Sequence, residues 1–194
     1  MTCIFDEYEL RKLNHRERID HCKDILRNEK DDSLRWDAVW IAGEILDSKG
    51  KNGPFFDEVS DLMGWVLRND DSGMVKHEAC YQIAVRKMYK KIPDLLNSAL
   101  NDSNGLVTHE AVEALGLLNA LDSEKLITKC LNSSNPDIRQ TIEFVLRRKE
   151  RQQKNYLLKL MIKNLKDFRK KEIGFKQIME NIEYFNEHTN QTLG

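Results

Sequence analysis

The sequence predicts an all-α protein, built as an α-solenoid of about four helix pairs with capping helices at its N- and C-terminal ends. One observation is a repeat: DSGMVKHEACYQIA at residues 71–84 is matched thirty-two residues later by SNGLVTHEAVEALG at residues 103–116. A second is composition, because 32% of the residues are charged and only three of 194 are proline. Repeated helix pairs with a period of roughly 31 to 41 residues are typical of solenoids.

The N-terminal segment, residues 1–31, is predicted to form capping helices. Apolar residues recur at mostly helical intervals between Tyr8 and Leu26, amid many charges. No apolar run reaches the roughly 18 residues that a membrane span needs, and the first residues lack the apolar stretch of a secretory signal. We therefore expect a cytoplasmic protein that does not contact a membrane.

Residues 32–148 contain the repeats, and the first helix of each is marked by apolar residues on one face. A second helix is predicted over Phe55–Leu67 in repeat one and Pro93–Leu100 in repeat two, and around residues 126–131 in repeat three. The predicted buried faces of the four first helices are Leu34, Ala38 and Ala42; Val75, Ala79 and Ile83; Val107, Ala111 and Leu115; and Ile138, Ile142 and Val145.

Residues 149–194 are predicted to form a basic C-terminal helical extension that is interrupted at Gly174. Residues 147–194 carry 12 Lys and Arg against 6 Asp and Glu, whereas residues 1–146 carry 19 against 26. The repeats are therefore acidic and the extension is basic. Lysines spread around a helix usually form a solvated face, and the acidic repeats oppose nucleic-acid binding, so a nucleic-acid-binding array is the least favoured function.

The four cysteines and the absence of common enzyme motifs exclude several classes of function. Cys3, Cys22, Cys80 and Cys130 form no CxxC pair, which argues against a zinc knuckle and predicts core residues or free thiols in a reducing compartment. The sequence has no phosphate-binding glycine loop, no HExxH motif and no nucleophile elbow.

Two His-Glu pairs carry the strongest functional signal. His77 with Glu78 and His109 with Glu110 occupy equivalent positions in repeats two and three. Equivalent helices of neighbouring repeats pack roughly 8 to 10 Å apart, so we expect His77 and His109 to reach a shared point. Two imidazoles and one carboxylate on one face form the ligand set that suits non-haem iron.

The repeat pattern resembles a known group of proteins. An Asp or Asn turn, an apolar-basic pair such as Val75-Lys76, and a helix with alanine one turn later resemble HEAT-like repeats of the phycocyanobilin-lyase type, over residues 32–148. Within that group, His-Glu pairs in two successive repeats, flanked by repeats that lack them, resemble one lobe of deoxyhypusine hydroxylase. That resemblance implies a two-lobed, eight-repeat di-iron enzyme.

The resemblance also implies roles for individual residues. Each lobe of the hydroxylase gives its metal two histidines and the glutamate of the second pair, here His77, His109 and Glu110. Glu78 would then lie behind the ligands or bind a substrate amine. Glu113 lies one turn after His109, and we expect from this spacing that it orients the imidazole. A second set of His-Glu pairs is missing from this chain, so a di-iron centre would require a homodimer.

The same residues are compatible with a protein that binds no metal, and the sequence does not decide whether the chain is an enzyme. A HEAT-like array presents a surface to proteins, so a scaffold, adaptor or inhibitor with a protein partner is the alternative function. The His-Glu pairs would then be surface polar residues. Trp36 and Asp37 occupy the His-Glu position in repeat one, where the tryptophan either packs in the core or contacts a partner.

Overall fold

The computed structural model describes residues 6–47, 53–171 and 180–184, with side chains described as far as residue 165 and again at 180–184. These residues contain helices and no strand. The all-α solenoid is therefore confirmed. Cys3, part of the glycine-rich link at 48–52, the predicted break at Gly174 and most of the last predicted helix lie outside the described residues.

Helices follow one another through short turns. A short 3-10 turn, Tyr89–Lys91, precedes the sixth helix. The α-helices are α1 (Glu7–Lys12), α2 (His15–Asn28), α3 (Asp32–Glu44), α4 (Phe56–Asn69), α5 (Gly73–Val85), α6 (Ile92–Asn101), α7 (Gly105–Leu117), α8 (Glu124–Leu131) and α9 (Pro136–Lys171).

The helices α3, α5 and α7 pack side by side in one layer, and α4, α6 and α8 form the second layer behind them. The helix pairs predicted for repeats one to three correspond to α3 with α4, α5 with α6, and α7 with α8, whereas the closest packing between the two layers joins α4 to α5 and α6 to α7. At the N-terminal end, α1 contacts α3 while α2 contacts both α3 and α4. The fourth repeat begins with α9, which continues past residue 148, where we predicted that the repeat ends.

The chain divides into two compact units, Met1–Val145 and Leu146–Gly194. In the first unit, Ile138, Ile142 and Val145 of α9 are buried, as the periodicity predicted. In the second unit, the described apolar side chains of α9 are largely exposed; they include Tyr156, Leu158, Leu160, Ile162 and Leu165. No helix in the described part of the chain is long and apolar enough to cross a membrane.

Small residues set the distance between the helices of the first layer. Ala38, Ala79 and Ala111 occupy equivalent positions of α3, α5 and α7, and all three are fully buried. A Cβ atom added to Gly43 of α3 would clash with the side chain of Gln82 on α5. Short side chains at these points let the backbones approach closely, so larger ones would force the helices apart.

Buried polar contacts tie each turn to the preceding repeat. Arg35 donates from Nε and Nη2 to the two oxygens of Asp70, at 2.9 and 3.0 Å, and Asp70 also accepts from the backbone N–H of Ser72 at 2.8 Å. One repeat later, Lys76 donates to Asp102 at 2.9 Å, and Asp102 accepts from the N–H of Asn104 at 2.9 Å. The aspartate in each turn thus fixes the start of the next helix.

The first helices of repeats two and three end at a residue with left-handed backbone. Lys87 has φ of 57° and Asn119 has φ of 54°. The N–H of the following residue, Met88 or Ala120, then bonds to a carbonyl five residues back, at 3.0 and 2.9 Å. This helix-ending motif stops α5 at Val85.

The described cysteines are buried thiols rather than ligands or disulfides. Cys22, Cys80 and Cys130 are free and at most 1% exposed. Burial raises the pKa of Cys22 to about 12, and it also raises the pKa of Cys80 and of Cys130. A buried thiol with a raised pKa carries almost no thiolate at neutral pH and is therefore inert.

Removal of the buried carboxylate in the Arg35 contact should destabilise the fold strongly. The side chain of Asp70 is 2% exposed, whereas Asp71 pairs with the same arginine and is 93% exposed. We expect Asp70→Ala to lower the free energy of unfolding by about 3 to 5 kcal/mol, because a buried guanidinium loses its partner. The control Asp71→Ala should cost less than about 1 kcal/mol. Urea unfolding followed by circular dichroism would measure both, and equal losses would contradict this prediction.

The buried thiols should react with a thiol reagent only after unfolding. In a Cys3→Ser variant, Cys22, Cys80 and Cys130 are the remaining cysteines. We expect no reaction with 5,5′-dithiobis(2-nitrobenzoate) at pH 8 in the native protein, because all three thiols are buried and protonated. In guanidinium chloride, which unfolds the protein, all three thiols should react rapidly. Rapid reaction of any thiol in the native protein would contradict the burial.

Candidate functional site

The two His-Glu pairs lie on neighbouring helices of the first layer, and one histidine meets one glutamate between them. Nε2 of His77 on α5 lies 3.3 Å from Oε2 of Glu110 on α7. The imidazole is 30% exposed and the carboxylate 10% exposed, so the contact sits at the edge of solvent. The hydrogen bond that His77 donates to the Glu110 carboxylate raises the pKa of His77, against the lowering effect of partial burial.

His109 contacts the following helix instead. Its Nδ1 lies 2.6 Å from the hydroxyl oxygen of Thr141 on α9, and that hydroxyl in turn donates to the carbonyl of Asp137 at 2.7 Å. Because the Thr141 hydroxyl donates its proton to the carbonyl of Asp137, it can only accept the hydrogen bond from His109. The imidazole must therefore be the donor in that bond. His109 is therefore protonated on Nδ1, and in its neutral form the lone pair is on Nε2.

The two histidines do not converge, because equivalent side chains of stacked repeats project in the same direction. His77 reaches the second position of the next His-Glu pair, Glu110, and His109 reaches the residue at that same position one repeat later, Thr141. Within residues 6–47, 53–171 and 180–184, no group of three or more His, Cys, Asp or Glu could hold a metal ion as it stands.

The residues fit an iron ion in part. Two adjacent ligands that each lie about 2.1 Å from a metal are roughly 3 Å apart, which is close to the separation of His77 and Glu110. The hydrogen bond to Thr141 fixes a tautomer of His109 whose Nε2 can ligate, as ligand histidines usually require. The third ligand joins the other two only if the imidazole of His109 turns towards the contact between α5 and α7.

Glu78 lies beneath the surface rather than in the site. The residue is 4% exposed, and its carboxylate accepts a hydrogen bond from Nε2 of Gln82 at 2.6 Å. Burial raises the pKa of Glu78, and the bond from Gln82 lowers it in part. Gln82 is also bonded to Arg86, whose Nε donates to the carbonyl of Gly43 at 2.8 Å. Glu78 is thus connected to α3 through the interior of the layer.

A cleft of about 480 Å³ extends from His109 along the surface between α7 and the beginning of α9. Glu113 lines this cleft, together with the Thr141 that holds His109. Thr141 on the next repeat holds Nδ1 of His109, and Glu113 lies on the same cleft. The sequence contained a signal for this residue, because Gln140-Thr141 occupies the His-Glu position of repeat four.

Three aromatic rings form a row on the same layer, which we call the aromatic row: Trp36, Trp40 and Tyr81. The rings of Trp36 and Trp40 are stacked with centroids 5.8 Å apart, and those of Trp40 and Tyr81 with centroids 6.4 Å apart. Asp37, beside Trp36 on α3, is half-buried. The sequence indicated Trp36 and Asp37, but the contribution of Tyr81 depends on how α3 and α5 pack.

Comparison with known proteins gives matches of two kinds. Residues 60–147 match HEAT repeats. Deoxyhypusine hydroxylase of Candida glabrata is 30% identical over 142 residues, which are 68% of this chain and 44% of that protein. The Arabidopsis thaliana hydroxylase is 36% identical over 85 residues, 42% of this chain and 26% of the relative. The Candida albicans hydroxylase is 38% identical over 82 residues, which are 41% of this chain and 26% of that protein.

The matched part of the chain spans less than half the length of these hydroxylases. No solved structure gives a significant match. The repeat match falls on α4 to the first part of α9, and it therefore includes both His-Glu pairs. The chain is thus a HEAT-repeat protein that resembles deoxyhypusine hydroxylase.

Proposed function

We propose that this chain binds one iron ion through His77, His109 and Glu110, in the manner that its resemblance to one lobe of deoxyhypusine hydroxylase implies. The single observation that best supports the proposal is the 3.3 Å contact between Nε2 of His77 and Oε2 of Glu110, which joins the two His-Glu repeats. Iron held by two imidazoles and one carboxylate supplies oxygen activation. Iron-dependent monooxygenation is accordingly the reaction class that we propose for the loaded protein.

The residues around the ligands support this site in different ways. Before a metal binds, Thr141 keeps the proton of His109 on Nδ1, so that Nε2 carries the lone pair when the ring begins to turn. Glu78 is buried and bonded to Gln82, so we propose that it supports the positive charge from below rather than contacting a substrate. Glu113 lines the cleft next to His109 and would limit the directions in which that ring can turn.

Metal content is the direct test of the site. Protein purified anaerobically with iron(II) should carry about one iron per chain, and His77→Ala and His109→Ala should each abolish binding, because two remaining ligands hold a divalent ion weakly. His21→Ala, which removes an exposed histidine from α2, is the matched control and should retain the metal. Elemental analysis measures all four proteins. Wild-type protein that stays metal-free in excess iron would refute the site.

Light scattering on the iron-loaded sample tests the predicted homodimer. If the centre is di-iron, two irons should elute with a particle of twice the chain mass, since a symmetric dimer is what brings two identical sites together. One iron on a monomer would instead support a mononuclear site. Iron that is bound equally by His77→Ala would indicate a different set of ligands.

A second proposed function is protein binding by the exposed face of α3, α5 and α7. HEAT repeats commonly mediate protein interactions, and here residues 1–146 carry an excess of acidic side chains. This function requires no metal, and it covers the scaffold, adaptor and inhibitor roles. The exposed rings of Trp40 and Tyr81, at 36% and 38%, are the specific observation that favours it.

Affinity capture from a source lysate tests the second function. The tagged chain should retain a basic protein partner at about 0.15 M salt, and a Trp40→Leu variant should retain less of it because the aromatic contact is removed. Retention of nucleic acid that falls steeply with salt would instead support the nucleic-acid-binding alternative. The absence of any retained protein, together with stoichiometric iron, would contradict the scaffold function.

A further inference from the structure

We infer that the aromatic row and Asp37 form a docking site for arginine side chains in a basic segment of a partner protein. This inference names the chemistry of the partner and rests on the second proposed function, protein binding. It does not depend on the metal. The site lies on α3 and α5, one turn along α5 from His77.

The rings of the aromatic row are held rigidly with part of their surface open. Nε1 of Trp40 donates to Glu44 at 2.8 Å, and Arg11 donates two bonds to that carboxylate, at 2.9 and 3.1 Å. The planes of Trp40 and Tyr81 differ by only 5°. A π-surface that is fixed before a ligand arrives loses little conformational entropy on binding.

The negative charge of Asp37 makes the site favour a positively charged ligand. In the described part of the chain this carboxylate has no hydrogen bond and no ion pair. Partial burial is the main cause that raises the pKa of Asp37; the nearby charge of Glu7 raises it further, and the charge of Arg11 lowers it in part. Asp37 is half-buried and has no direct ion pair among the described residues, so a guanidinium bonded to it would supply charge-assisted hydrogen bonds that it lacks.

Arginine fits this combination better than lysine does. A planar guanidinium can stack on an indole ring or bond a carboxylate along its edge, so a segment with several arginines can use both the rings and Asp37, whereas an ammonium is a compact, strongly hydrated charge. The chain already uses such stacking, since Arg27 lies 5.9 Å from the ring of Trp65. No described Lys or Arg covers the rings of the aromatic row in this way. The exposed parts of Trp40 and Tyr81 are therefore available to an arginine from outside.

The overall charge favours a basic polypeptide over a nucleic acid as the partner. Residues 1–146 carry 26 acidic and 19 basic side chains, and the charges that act on Asp37 are those of Glu7, Asp31 and, in the opposite direction, Arg11. Phosphates would be repelled from such a surface, although flat rings can stack on bases. A segment rich in arginine can make cation-π contacts with the rings and is also attracted by the acidic charge.

Titration of the full chain with a fluorescein-labelled hexa-arginine peptide, followed by anisotropy at about 0.15 M salt, tests the inference. Hexa-arginine should bind about fivefold more tightly than hexa-lysine, because cation-π contacts add to the charge attraction. Asp37→Asn and Trp40→Leu should each weaken hexa-arginine binding about fivefold. Glu124→Gln removes one exposed carboxylate from α8 and should change the affinity less than about twofold.

Circular dichroism checks that each variant is folded, and Asp37→Asn, which replaces one oxygen by an amide nitrogen, keeps the test decisive if Trp40→Leu does not fold. The inference would be overturned if the two peptides bound with equal affinity and if Asp37→Asn and Glu124→Gln weakened hexa-arginine binding by equal amounts. Unspecific charge attraction would then explain the binding. Tighter binding of a single-stranded oligonucleotide than of hexa-arginine would also overturn it. If this titration shows no preference for arginine but a protein partner is captured from lysate, the second proposed function still stands. Only this docking surface is then excluded.

Discussion

The close lateral packing of equivalent helices is the constraint on which the other features depend. Fully buried alanines at positions 38, 79 and 111 bring α3, α5 and α7 together in one layer. Repeats that stack in this way place each side chain against the same position of the next repeat. The contact of His77 with Glu110 and the contact of His109 with Thr141 are therefore the same contact made twice, with a different residue at the second position. This register creates a histidine-carboxylate pair at one seam and a histidine-hydroxyl pair at the next.

The polar residues of the layer divide into two groups with different consequences for stability. Arg35 with Asp70, and Lys76 with Asp102, join a helix to the following turn, and each aspartate also fixes the start of the next helix. These contacts stabilise the fold. His77, Glu78 and Glu110 lie in the middle of the layer, where burial raises the pKa of Glu78 while the bond to Glu110 raises that of His77. Carboxylates gathered at a half-buried position leave negative potential for a cation to neutralise.

The repeat pattern predicted most of the fold because burial follows helical periodicity, and the predicted face of each first helix is the one that packs. The sequence could not predict the direction in which His109 points, because an alignment of repeats gives a position on a helix but not the vector to the next one. The sequence also contains no signal for the end of α5. The residue with left-handed backbone there is Lys87, whereas glycine or asparagine usually occupies such a position. A change in composition predicted the end of the repeats at residue 148, and α9 runs through that position because no glycine or proline stands there to stop the helix.

The bond between His109 and Thr141 decides how the two proposed functions relate. A metal that requires His109 must bring the imidazole away from Thr141 or around it, and the loss of one buried hydrogen bond costs about 1 kcal/mol, roughly fivefold in affinity. That penalty is small beside the free energy that three ligands provide to a divalent ion, so the hydrogen bond does not exclude a metal site. The aromatic row lies on α3 and α5 and does not include His109. Metal binding at the seam between α5 and α7 and protein binding at the aromatic row therefore use different side chains, and one function does not preclude the other.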